Sequence, residues 1–536
     1  MISFKQILRI LLTCAAVTAV TACGGATTAL PAPTARPLAT STPPEATGAS
    51  TAEETILRVG LPFLSRSPAS PRGGFGAIRW GVGETLFRLS ADDLKPEPWL
   101  ATGATQIDEK TWEITLREGV KFHNGASMDA AAVKASLERA IGESGAAKAL
   151  LDIARIDVKD PLTVTIVTNA PSPIMPGLLT GTTTTIVDAA AAETMGDAFT
   201  ERPVLTGPFK VEKFQQEKEM VVVRHDQYWG PSPSAHRVKF IYLPDGNSRV
   251  LALQSGDIDI ADYIAPESVT VVKNSPKLVV RAAAPVSLEF MYLNHRREPW
   301  KDARVRQAIA LSIDREGLVK AVMQGRGIVA AGPFPPAVLA CPQLRKHTLD
   351  PAKAKQLMAQ AGYRDEDGDG YLEKDGQPLA MTLLTYPQRP ELTPMAETIQ
   401  ASLKTLGIKV NIRVTEGIDA ALEQGDWDGG MYFNNMTVTG DPYRALLQFF
   451  STGGSANFGG YSSPRVDELT RQVGQAAARP EREQLACAAS QAIIDEVAVV
   501  PLLYPNFNYG VSSKVVGFDE PHPFWLYFVD SGTGKR

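Results

Sequence analysis

The sequence predicts an α/β protein with more than one domain. Its 536 residues are too many for a single hydrophobic core, so two or three domains are expected. The apolar run Leu288–Asn294 is typical of a buried strand, and helical patterns follow it directly. The alternation returns later, where the pattern predicts a helix at Pro394–Leu406, a strand at Val410–Val414 and a helix at Gly417–Gln424. Strands that alternate with helices in this way indicate the α/β class.

Composition and charge exclude several classes of protein. Hydrophobic residues make up 44% of the chain and mean hydropathy is near zero, which excludes a polytopic membrane protein. The formal net charge of −5 argues against a nucleic-acid partner. We therefore expect a globular protein, and we expect it to be a monomer.

The N-terminus resembles a bacterial lipoprotein signal. Lys5 and Arg9 form a basic region, Ile10–Val20 is a short apolar stretch, and small residues precede Cys23. The pattern predicts a signal peptide at residues 1–22, with Cys23 becoming the lipidated first residue of the mature chain. An uncleaved anchor is the alternative, but 11 apolar positions are too few to span a bilayer. We therefore expect a cell-envelope protein held by lipid on the extracytoplasmic side of the membrane.

Residues 23–55 are predicted to be a disordered tether. From Gly24 to Thr55 nearly every residue is Ala, Thr, Pro, Gly or Ser. Such a segment buries too little apolar surface to offset the entropy lost on ordering. Structure is expected to begin at the strand Ile56–Gly60, which a Gly- and Pro-rich loop at Leu61–Gly76 follows.

The stretch Ser287–Gly332 predicts a strand, a turn and two helices separated by a kink. Glu289 is the only charged residue in its strand. Asp302 and Asp314 stand where helix N-caps are expected, and Gly325 is placed to end the second helix. The first helix should bury one face, made of Val305, Ala308, Ile309 and Ser312.

A second informative stretch lies at Leu116–Ala140. A strand at Trp112–Leu116 leads to an Asn-Gly turn and then to a helix that begins at Asp129. That helix should bury Val133 and Leu137. His123 lies between strand and helix, and we expect a structural histidine because no second metal ligand accompanies it.

Several segments resemble solute-binding protein family 5, the peptide-, nickel- and opine-binding subunits of bacterial ABC importers. The matching motifs follow one another along the chain: Leu116–Ala140, Thr206–Val211, Tyr228–Gly230, Leu293–Asn294, Asp302–Ala308, Ser312–Arg315 and Ser463–Leu469. The resemblance extends over roughly Ile56–Phe518. The resemblance implies a two-lobed periplasmic-binding-protein type 2 fold with an extra subdomain on the first lobe. It also implies that the two lobes close around a ligand.

The resemblance further implies domain boundaries. The first lobe would be residues 56–287, with the inserted subdomain at about 94–202. The second lobe would be residues 288–497, and residues 498–536 would return to the first lobe. Leu288–Asn294 would then be a hinge strand that leads into the second lobe.

The sequence carries no catalytic motif. It contains no G-x-S-x-G elbow, H-E-x-x-H helix or phosphate-binding loop, and its six histidines form no pair at helical spacing. We therefore predict a binding protein without a cofactor; a periplasmic hydrolase or a receptor ectodomain is the alternative from another class. The expected partners are a peptide-like solute, the permease of an ABC importer, and the membrane through the lipid on Cys23.

The resemblance bears on the nature of the ligand. In peptide binders an aspartate four residues before the proline of an Asp-Pro turn holds the amino group of the peptide, and here Val438 stands in that place. In nickel binders a histidine of the following loop contacts the metal or its chelator, and here Ser455 stands there. Arg389 resembles the arginine by which dipeptide binders hold a carboxylate, with a surface arginine as the alternative. A peptide-like solute is predicted, and a nickel chelate or an opine is the alternative.

The segment Met431–Arg444 should line the cleft from the second lobe, because it joins a strand end to a Gly-Asp-Pro turn. Its candidate ligand contacts are Asn434, Asn435, Met436, Asp441 and Tyr443. Asp441 could instead cap the turn, and we prefer that role. Phe63, Glu289 and Arg389 complete the candidate site.

Two cysteines remain in the mature chain apart from Cys23. Cys341 lies in a proline-rich loop and Cys487 on a predicted helix. Their distant positions give no metal-ligand spacing, so two unrelated thiols are expected.

The acidic run Asp365–Gly370 resembles a calcium loop. The EF-hand pattern needs a bidentate carboxylate six positions after its glycine, and Gly376 stands there. A solvated turn is therefore preferred, with a calcium site as the alternative.

Overall fold

The computed structural model describes residues 56–69, 75–436, 439–524 and 527–536. The predicted signal peptide, the lipidation site Cys23 and the tether lie outside these residues, and so does Val438. No helix in the described ranges is long and apolar enough to cross a membrane.

The first part of the chain alternates strands with short helices. Its elements are β1 (Ile56–Leu61), α1 (Gly76–Arg79), β2 (Phe87–Leu89), β3 (Pro96–Pro98), β4 (Ala101–Gln106), β5 (Thr111–Leu116), α2 (Ala130–Glu143), α3 (Gly145–Leu151), β6 (Ile153–Asp160), β7 (Thr163–Thr168), α4 (Met175–Leu178), α5 (Ala189–Met195), β8 (Phe209–Gln215), β9 (Glu219–Arg224), β10 (Arg237–Tyr242), α6 (Gly246–Ser255), β11 (Ile260–Ala261), α7 (Ser268–Lys273) and β12 (Leu278–Ala283).

The second part contains the longer helices. Its elements are β13 (Ser287–Leu293), α8 (Ala303–Ser312), α9 (Arg315–Gly317), β14 (Gly327–Val329), α10 (Pro351–Gln360), β15 (Glu373–Lys374), β16 (Gln377–Pro378), β17 (Ala380–Thr385), α11 (Leu392–Leu406), β18 (Lys409–Val414), α12 (Ile418–Gln424), β19 (Gly429–Asn435), α13 (Tyr443–Ala445), α14 (Pro464–Gln475), α15 (Arg479–Asp495) and β20 (Val499–Pro505). The chain ends with β21 (Phe507–Ser512), β22 (Val515–Val516) and β23 (Gly534–Lys535).

Two large mixed sheets form the frame of the molecule. The seven-stranded sheet has the order β12-β21-β11-β1-β10-β9-β8, and the six-stranded sheet has the order β14-β20-β13-β19-β17-β18. Parallel pairing joins β1 to β10 and β17 to β18, while most other neighbours are antiparallel. A separate antiparallel sheet, β4-β5-β7-β6, carries α2 in the first part of the chain. Each large sheet is the centre of one lobe of the predicted α/β fold.

The chain passes between the two large sheets at two places. Residues 284–286 join β12 to β13, and Asn506 joins β20 to β21. The sequence placed the return to the first lobe at residue 498, but β20 pairs with β13 in the six-stranded sheet. The residues of β20 are uniformly apolar, and this pattern does not indicate which of the two large sheets the strand joins. The assignment of β20 to a sheet therefore rests on its pairing. We propose that the second lobe extends to Pro505.

The local predictions for Ser287–Gly332 are confirmed. All seven residues of β13 are buried, including Glu289. The Asp302 carboxylate accepts a hydrogen bond from the Arg304 amide and caps α8, and Asp314 caps α9 in the same way through Gly317. Val305, Ala308, Ile309 and Ser312 are all buried.

The arginines of this segment hold the backbone together. Arg306 donates hydrogen bonds to the carbonyls of Trp300, Lys301 and Glu496. Arg315 donates to the carbonyls of Pro501 and Ala310 at 2.7 and 2.9 Å. A guanidinium has five donors in a fixed planar arrangement, so each arginine satisfies carbonyls from segments that are distant in sequence. These motif residues therefore act in the fold.

The Tyr228–Gly230 motif has a structural role as well. The buried carboxylate of Glu84 accepts hydrogen bonds from the Tyr228 hydroxyl at 2.8 Å and from the Trp229 indole at 3.1 Å. Burial raises the pKa of Glu84 to about 7, while these two donors oppose that shift. The motif thus provides partners for a buried carboxyl group, as a packing role predicts.

His123 is a structural histidine, as predicted. Its Nε2 lies 3.1 Å from the Gly207 carbonyl oxygen, and its Nδ1 accepts a hydrogen bond from the Leu205 amide at 3.4 Å. The sequence offered no neighbouring histidine, but the fold brings His225 alongside, with ring centroids 5.0 Å apart. Because both His123 nitrogens are engaged with backbone, the ring has no free atom for a metal.

Acidification should destabilise the protein through His123. Burial, and secondly the nearby His225, lowers the pKa of His123 to about 3, compared with about 6.5 in an unfolded chain. Between these values only the unfolded chain binds the proton. The contribution of His123 to stability is therefore complete above pH 6.5 and decreases as the pH falls towards 3, by about 1.4 kcal/mol per pH unit.

Urea unfolding at pH 7 and pH 5 tests this expectation. The His123→Gln variant should lose about 2 kcal/mol less than the wild type over that interval, since glutamine cannot take up the proton. Equal losses in the two proteins would show that His123 does not contribute to the pH dependence.

The structure corrects the prediction for the two cysteines. Cys341 and Cys487 form a disulfide, with their Cα atoms 5.6 Å apart and a sequence separation of 146. The loop that carries Cys341 lies against α15, which carries Cys487. Spacing along the chain could not show this contact, because only the packing of the second lobe creates it.

Candidate ligand-binding site

The region where the chain crosses between the large sheets brings together charged and aromatic side chains from both lobes. Tyr263 and Phe507 come from the seven-stranded side, and their rings pack at 5.8 Å. Glu289 on β13 and Phe433 on β19 come from the six-stranded sheet. We call Glu289, Arg389 and Glu391 the charged cluster.

Arg389 lies among aromatic rings of both lobes. Its guanidinium carbon is 3.7 Å from the centroid of the Phe433 ring. The centroids of Tyr263 and Phe507 are 5.2 and 5.6 Å away. Aromatic faces attract a guanidinium and leave its edge, which carries the N–H donors, available. Within the described ranges Arg389 makes no hydrogen bond and no ion pair, so its donors have no protein acceptor.

Two glutamates accompany Arg389. Glu289 is 0% exposed and Glu391 3% exposed. None of their four carboxylate oxygens accepts a hydrogen bond of good geometry from the residues that the structure describes. Burial, and secondly the charge of Glu391, raises the pKa of Glu289 well above its usual value. Glu289 and Arg389 are predicted site residues, whereas Glu391 was not predicted, because no local pattern indicates its place beside Glu289.

Phe63 connects to the same region through Arg79. The Arg79 guanidinium lies 5.7 Å from the centroid of the Phe63 ring and forms a buried ion pair with Asp262, the residue before Tyr263. Phe63 also packs edge-on against Phe75 at 5.4 Å. Phe63 is thus placed on the first-lobe side, and the path of contacts from it to the charged cluster runs through Arg79, Asp262 and Tyr263.

The residues at the end of β19 have different environments. Asn434 and Asn435 are half-buried, and the Asn435 side-chain oxygen accepts a hydrogen bond from the Ser287 hydroxyl. Met436 is fully buried, and its amide donates to the Val286 carbonyl at 3.3 Å. These residues therefore border the crossing at residues 284–286, where Met436 contributes apolar surface and the asparagines contribute polar groups.

Asp441 and Tyr443 lie in a different environment from the charged cluster. One Asp441 oxygen accepts from the Tyr443 amide at 3.0 Å, which is the turn role that we preferred. The other accepts from Arg482 at 2.9 Å. The Tyr443 ring packs on Gly474 of α14. Because the carboxylate of Asp441 is already paired, we do not assign a ligand to it.

The loop next to Asp441 touches two segments of the first part of the chain. A Cβ atom on Gly440 would come within 2.3 Å of the Leu94 carbonyl oxygen, and one on Gly177 within 2.5 Å of the Thr439 carbonyl oxygen. Only glycine allows backbones to approach so closely. The backbone of this loop is therefore in direct contact with the backbone near Leu94 and Gly177.

A separate cavity of about 620 Å³ lies on the first-lobe side. Its lining includes Arg88, Trp99, Arg117, Trp229 and Tyr527. Arg88 pairs with Glu97 at 2.7 Å. The Arg117 guanidinium stacks on Trp229 at 4.2 Å and donates to the Trp99 carbonyl. Since these arginines already have partners and no candidate site residue lines the cavity, we do not assign it to the ligand.

The acidic loop brings three carboxylates together. Oxygens of Asp365, Asp367 and Glu373 lie within 4.8 Å of one another. Glu373 precedes Gly376 by three residues, so it does not stand where the EF-hand pattern places its bidentate carboxylate. Asp365 accepts from the Gly368 and Gly370 amides, and Glu373 accepts from the Glu366 amide. These backbone hydrogen bonds account for the loop as the solvated turn that we preferred.

Comparison with known proteins identifies the family. A family model described as bacterial extracellular solute-binding proteins, family 5 Middle, matches residues 95–457. The nickel-binding protein NikA of Staphylococcus aureus is 27% identical over 480 residues, which cover 89% of this chain and 94% of that protein. The glutathione-binding protein GsiB of Salmonella paratyphi A is 27% identical over 483 residues, which cover 87% of this chain and 92% of that protein.

A solved structure extends the similarity to the fold. The crystal structure of Staphylococcus aureus NikA in complex with Ni(L-His)2 matches with a TM-score of 0.79 at 26% identity, and the match covers 90% of this chain and 100% of that chain. The two-lobed type 2 fold that the sequence predicted is confirmed by this match. The chain belongs to the bacterial extracellular solute-binding proteins of family 5.

Proposed function

We propose that this protein binds a peptide-like solute between its two lobes and delivers it to the permease of an ABC importer. Members of the family are the solute-binding components of such importers, outside the cytoplasm. What is specific to our proposal is the class of solute and its place beside the charged cluster.

The observation that carries the proposal is the environment of Arg389. Its guanidinium is held between rings of both lobes, yet its N–H donors have no protein acceptor among the described residues. A carboxylate matches this planar donor edge, because it can accept two parallel hydrogen bonds. Peptides and amino-acid derivatives carry such a group at their C-terminus. A site that both lobes contribute to also explains why binding would favour the closed form.

Relatives of the chain are consistent with this class and with one alternative. GsiB is named for glutathione, which is built from amino acids, and the NikA structure contains nickel bound by L-histidine. A chelator bearing a carboxylate would suit Arg389 as well as a peptide would. The contact at Arg389 is therefore the same for a peptide and for the nickel-chelate or opine alternative. These solutes differ in the groups that the rest of the cleft would contact.

The experiment that tests the proposal is identification of the solute. Small molecules that co-purify with the untagged mature protein should be recovered by native mass spectrometry, intact and with a free carboxylate. Adding the recovered solute should reduce the radius of gyration measured by small-angle scattering, because the lobes close, and should raise the melting temperature. Recovery of a solute without a carboxylate, or tight binding without any change in scattering, would contradict the proposal.

Replacing Arg389 should weaken binding without weakening the fold. We expect Arg389→Ala to reduce the affinity for a carboxylate-bearing solute at least tenfold, about 1.4 kcal/mol, because two charge-assisted hydrogen bonds are lost. The melting temperature without solute should change little, since Arg389 donates no hydrogen bond within the described protein and separation of the lobes leaves the two glutamates in solvent. Arg413→Ala is the matched control, because Arg413 is an exposed arginine of the same lobe. Equal affinities in the wild type and Arg389→Ala would remove Arg389 from the site.

We also propose that the protein is anchored by lipid on Cys23. The basic, apolar and small-residue regions that precede Cys23 are the support for this proposal. Cys23→Ser should abolish incorporation of a fatty-acid probe and move the protein out of the membrane fraction. A Cys23→Ser protein that still labels and still sediments with membranes would show that another element anchors it.

A further inference from the structure

We infer that Glu289 and Glu391 bind a cationic group of the solute, and that they do so as a pair carrying a single negative charge. This inference rests on the proposed function, because it places a second contact beside the carboxylate contact at Arg389. It defines the solute as a zwitterion with an ammonium or similar N–H donor close to its carboxylate.

The first support is that these carboxyl groups are buried without donors. Glu289 and Glu391 are 0% and 3% exposed, and none of their oxygens accepts a well-formed hydrogen bond from the described protein. A buried carboxyl group is costly unless hydrogen bonds satisfy it, and unsatisfied groups of this kind are rare in native proteins. Other buried carboxyl groups have strong partners: Glu84 has two side-chain donors, and Asp262 and Asp441 pair with arginines. At Glu289 and Glu391, the neighbouring Tyr263 hydroxyl and a proton shared between the two carboxyl groups still leave acceptor positions open, and these point to a ligand that supplies donors.

The second support is the position of the pair. Glu289 lies on β13, two residues after the chain enters the six-stranded sheet, and Glu391 immediately precedes α11. Tyr263 stands beside Glu391 from the seven-stranded side. Separation of the two lobes would therefore expose the pair to solvent, and closure would bury whatever it had bound. This is the behaviour expected of a contact in the cleft.

The charge of the pair follows from its surroundings. The ionisable groups that face it are Arg389 and Tyr386 from the second lobe and Tyr263 from the first. Among the residues that the structure describes, only Arg389 is cationic there, so it can balance one negative charge. Two ionised carboxylates in contact in a buried site repel each other, and one of them retains its proton. Glu289 is fully buried and its pKa is raised, so the proton belongs on Glu289.

A charge balance then selects the solute. Without solute, the singly charged pair and Arg389 sum to zero. A zwitterion adds one positive and one negative charge, so the sum stays at zero and no proton has to leave. A simple cation or a simple anion would leave an unbalanced charge in a site closed off from water, which is strongly unfavourable. The cluster should therefore select solutes that carry both groups.

The test uses a library of unmodified dipeptides together with the N-acetylated and the C-amidated form of each, and affinities measured by calorimetry. The wild type should bind at least one unmodified dipeptide, and blocking its amino group should weaken binding at least a hundredfold. Glu289→Gln keeps the charge of the pair and should bind the same dipeptide within about fivefold of the wild type. The double variant Glu289→Gln/Glu391→Gln has no charge and should lose at least a hundredfold.

Comparing the free and N-acetylated forms within one variant separates a lost amino-group contact from misfolding, because misfolding weakens the binding of both forms. In the double variant the free form should no longer bind more tightly than the N-acetylated form, since the negative charge that balances its amino group is gone. If Glu289→Gln alone loses as much as the double variant, both carboxylates must be ionised and the single-charge assignment is wrong. If the wild type binds free and N-acetylated dipeptides equally, the pair does not hold the amino group.

Failure of the inference differs from failure of the proposed function. Insensitivity to the amino group, combined with a loss of affinity in Arg389→Ala, would overturn the inference and leave the proposed function in place. If no member of the library binds the wild type, the peptide-like class itself is wrong, and the inference that rests on it is overturned as well.

Discussion

Removal of the Cys341–Cys487 disulfide is expected to lower the free energy of unfolding by about 2–5 kcal/mol. The bond joins residues 146 positions apart, so it removes much of the conformational freedom of the unfolded chain. It also ties the loop that carries Cys341 to the long helix α15. The double variant Cys341→Ser/Cys487→Ser should therefore unfold at a lower denaturant concentration than the wild type.

Reductant supplies the matched control for this prediction. Dithiothreitol should shift the unfolding of the mature wild-type protein to that of the double variant, and it should leave the double variant unchanged. Alkylation under denaturing conditions should find no reactive Cys341 or Cys487 thiol until reductant is added. Free thiols at both positions in protein isolated from the cell envelope would contradict the disulfide.

Breaking the ion pair between Asp441 and Arg482 should have an effect of similar size. The two side chains are 6% and 8% exposed, and the Arg482 Nε donates to Asp441 at 2.9 Å. Arg482 also donates to the carbonyls of Ala476 and Ala477, at the end of α14. Arg482→Ala would leave a buried carboxylate without its partner, which costs about 3–5 kcal/mol. We expect a loss of that order in chemical denaturation.

The exposed pair of Arg345 and Asp495 is the control. It has the same residue types at 3.5 Å, but the Arg345 side chain is 78% exposed. Solvent screens such a pair, so Arg345→Ala should change stability by less than about 1 kcal/mol. Equal effects of Arg482→Ala and Arg345→Ala would mean that the Asp441–Arg482 pair is solvated in solution.

The two stability predictions concern the second lobe at sites apart from the charged cluster. Neither disulfide removal nor Arg482→Ala changes a residue of the proposed site. Each should therefore affect solute binding mainly through the fraction of folded protein. This separates them from Arg389→Ala, which should weaken binding and leave stability nearly unchanged.

The sequence by itself determined the local structure of this protein to within a few residues. A continuous apolar run located β13, apolar periodicity located the buried face of α8, and the caps at Asp302 and Asp314 were readable from residue type. Such features depend on interactions between residues that are at most about four positions apart, so a linear pattern contains them. The family motifs added the two-lobed fold.

For the candidate site the sequence indicated two of the three charged residues. Glu289 stood out as the one charge in an apolar strand, and Arg389 resembled a carboxylate-binding arginine. Glu391 gave no signal of its own, because an acidic residue ahead of a helix is commonplace. Asp441 was correctly preferred as a turn residue from its place before proline.

Only the tertiary structure decided which distant residues meet. It joined Cys341 to Cys487, placed His225 beside His123, gave Asp441 its partner Arg482, and set Glu391 against Glu289. It also paired the apolar strand β20 with β13. Each of these contacts joins segments from about forty to more than two hundred residues apart, and their positions depend on how whole sheets and helices pack. Periodicity and caps are local and cannot specify that packing, so the composition of the charged cluster was decided by the fold.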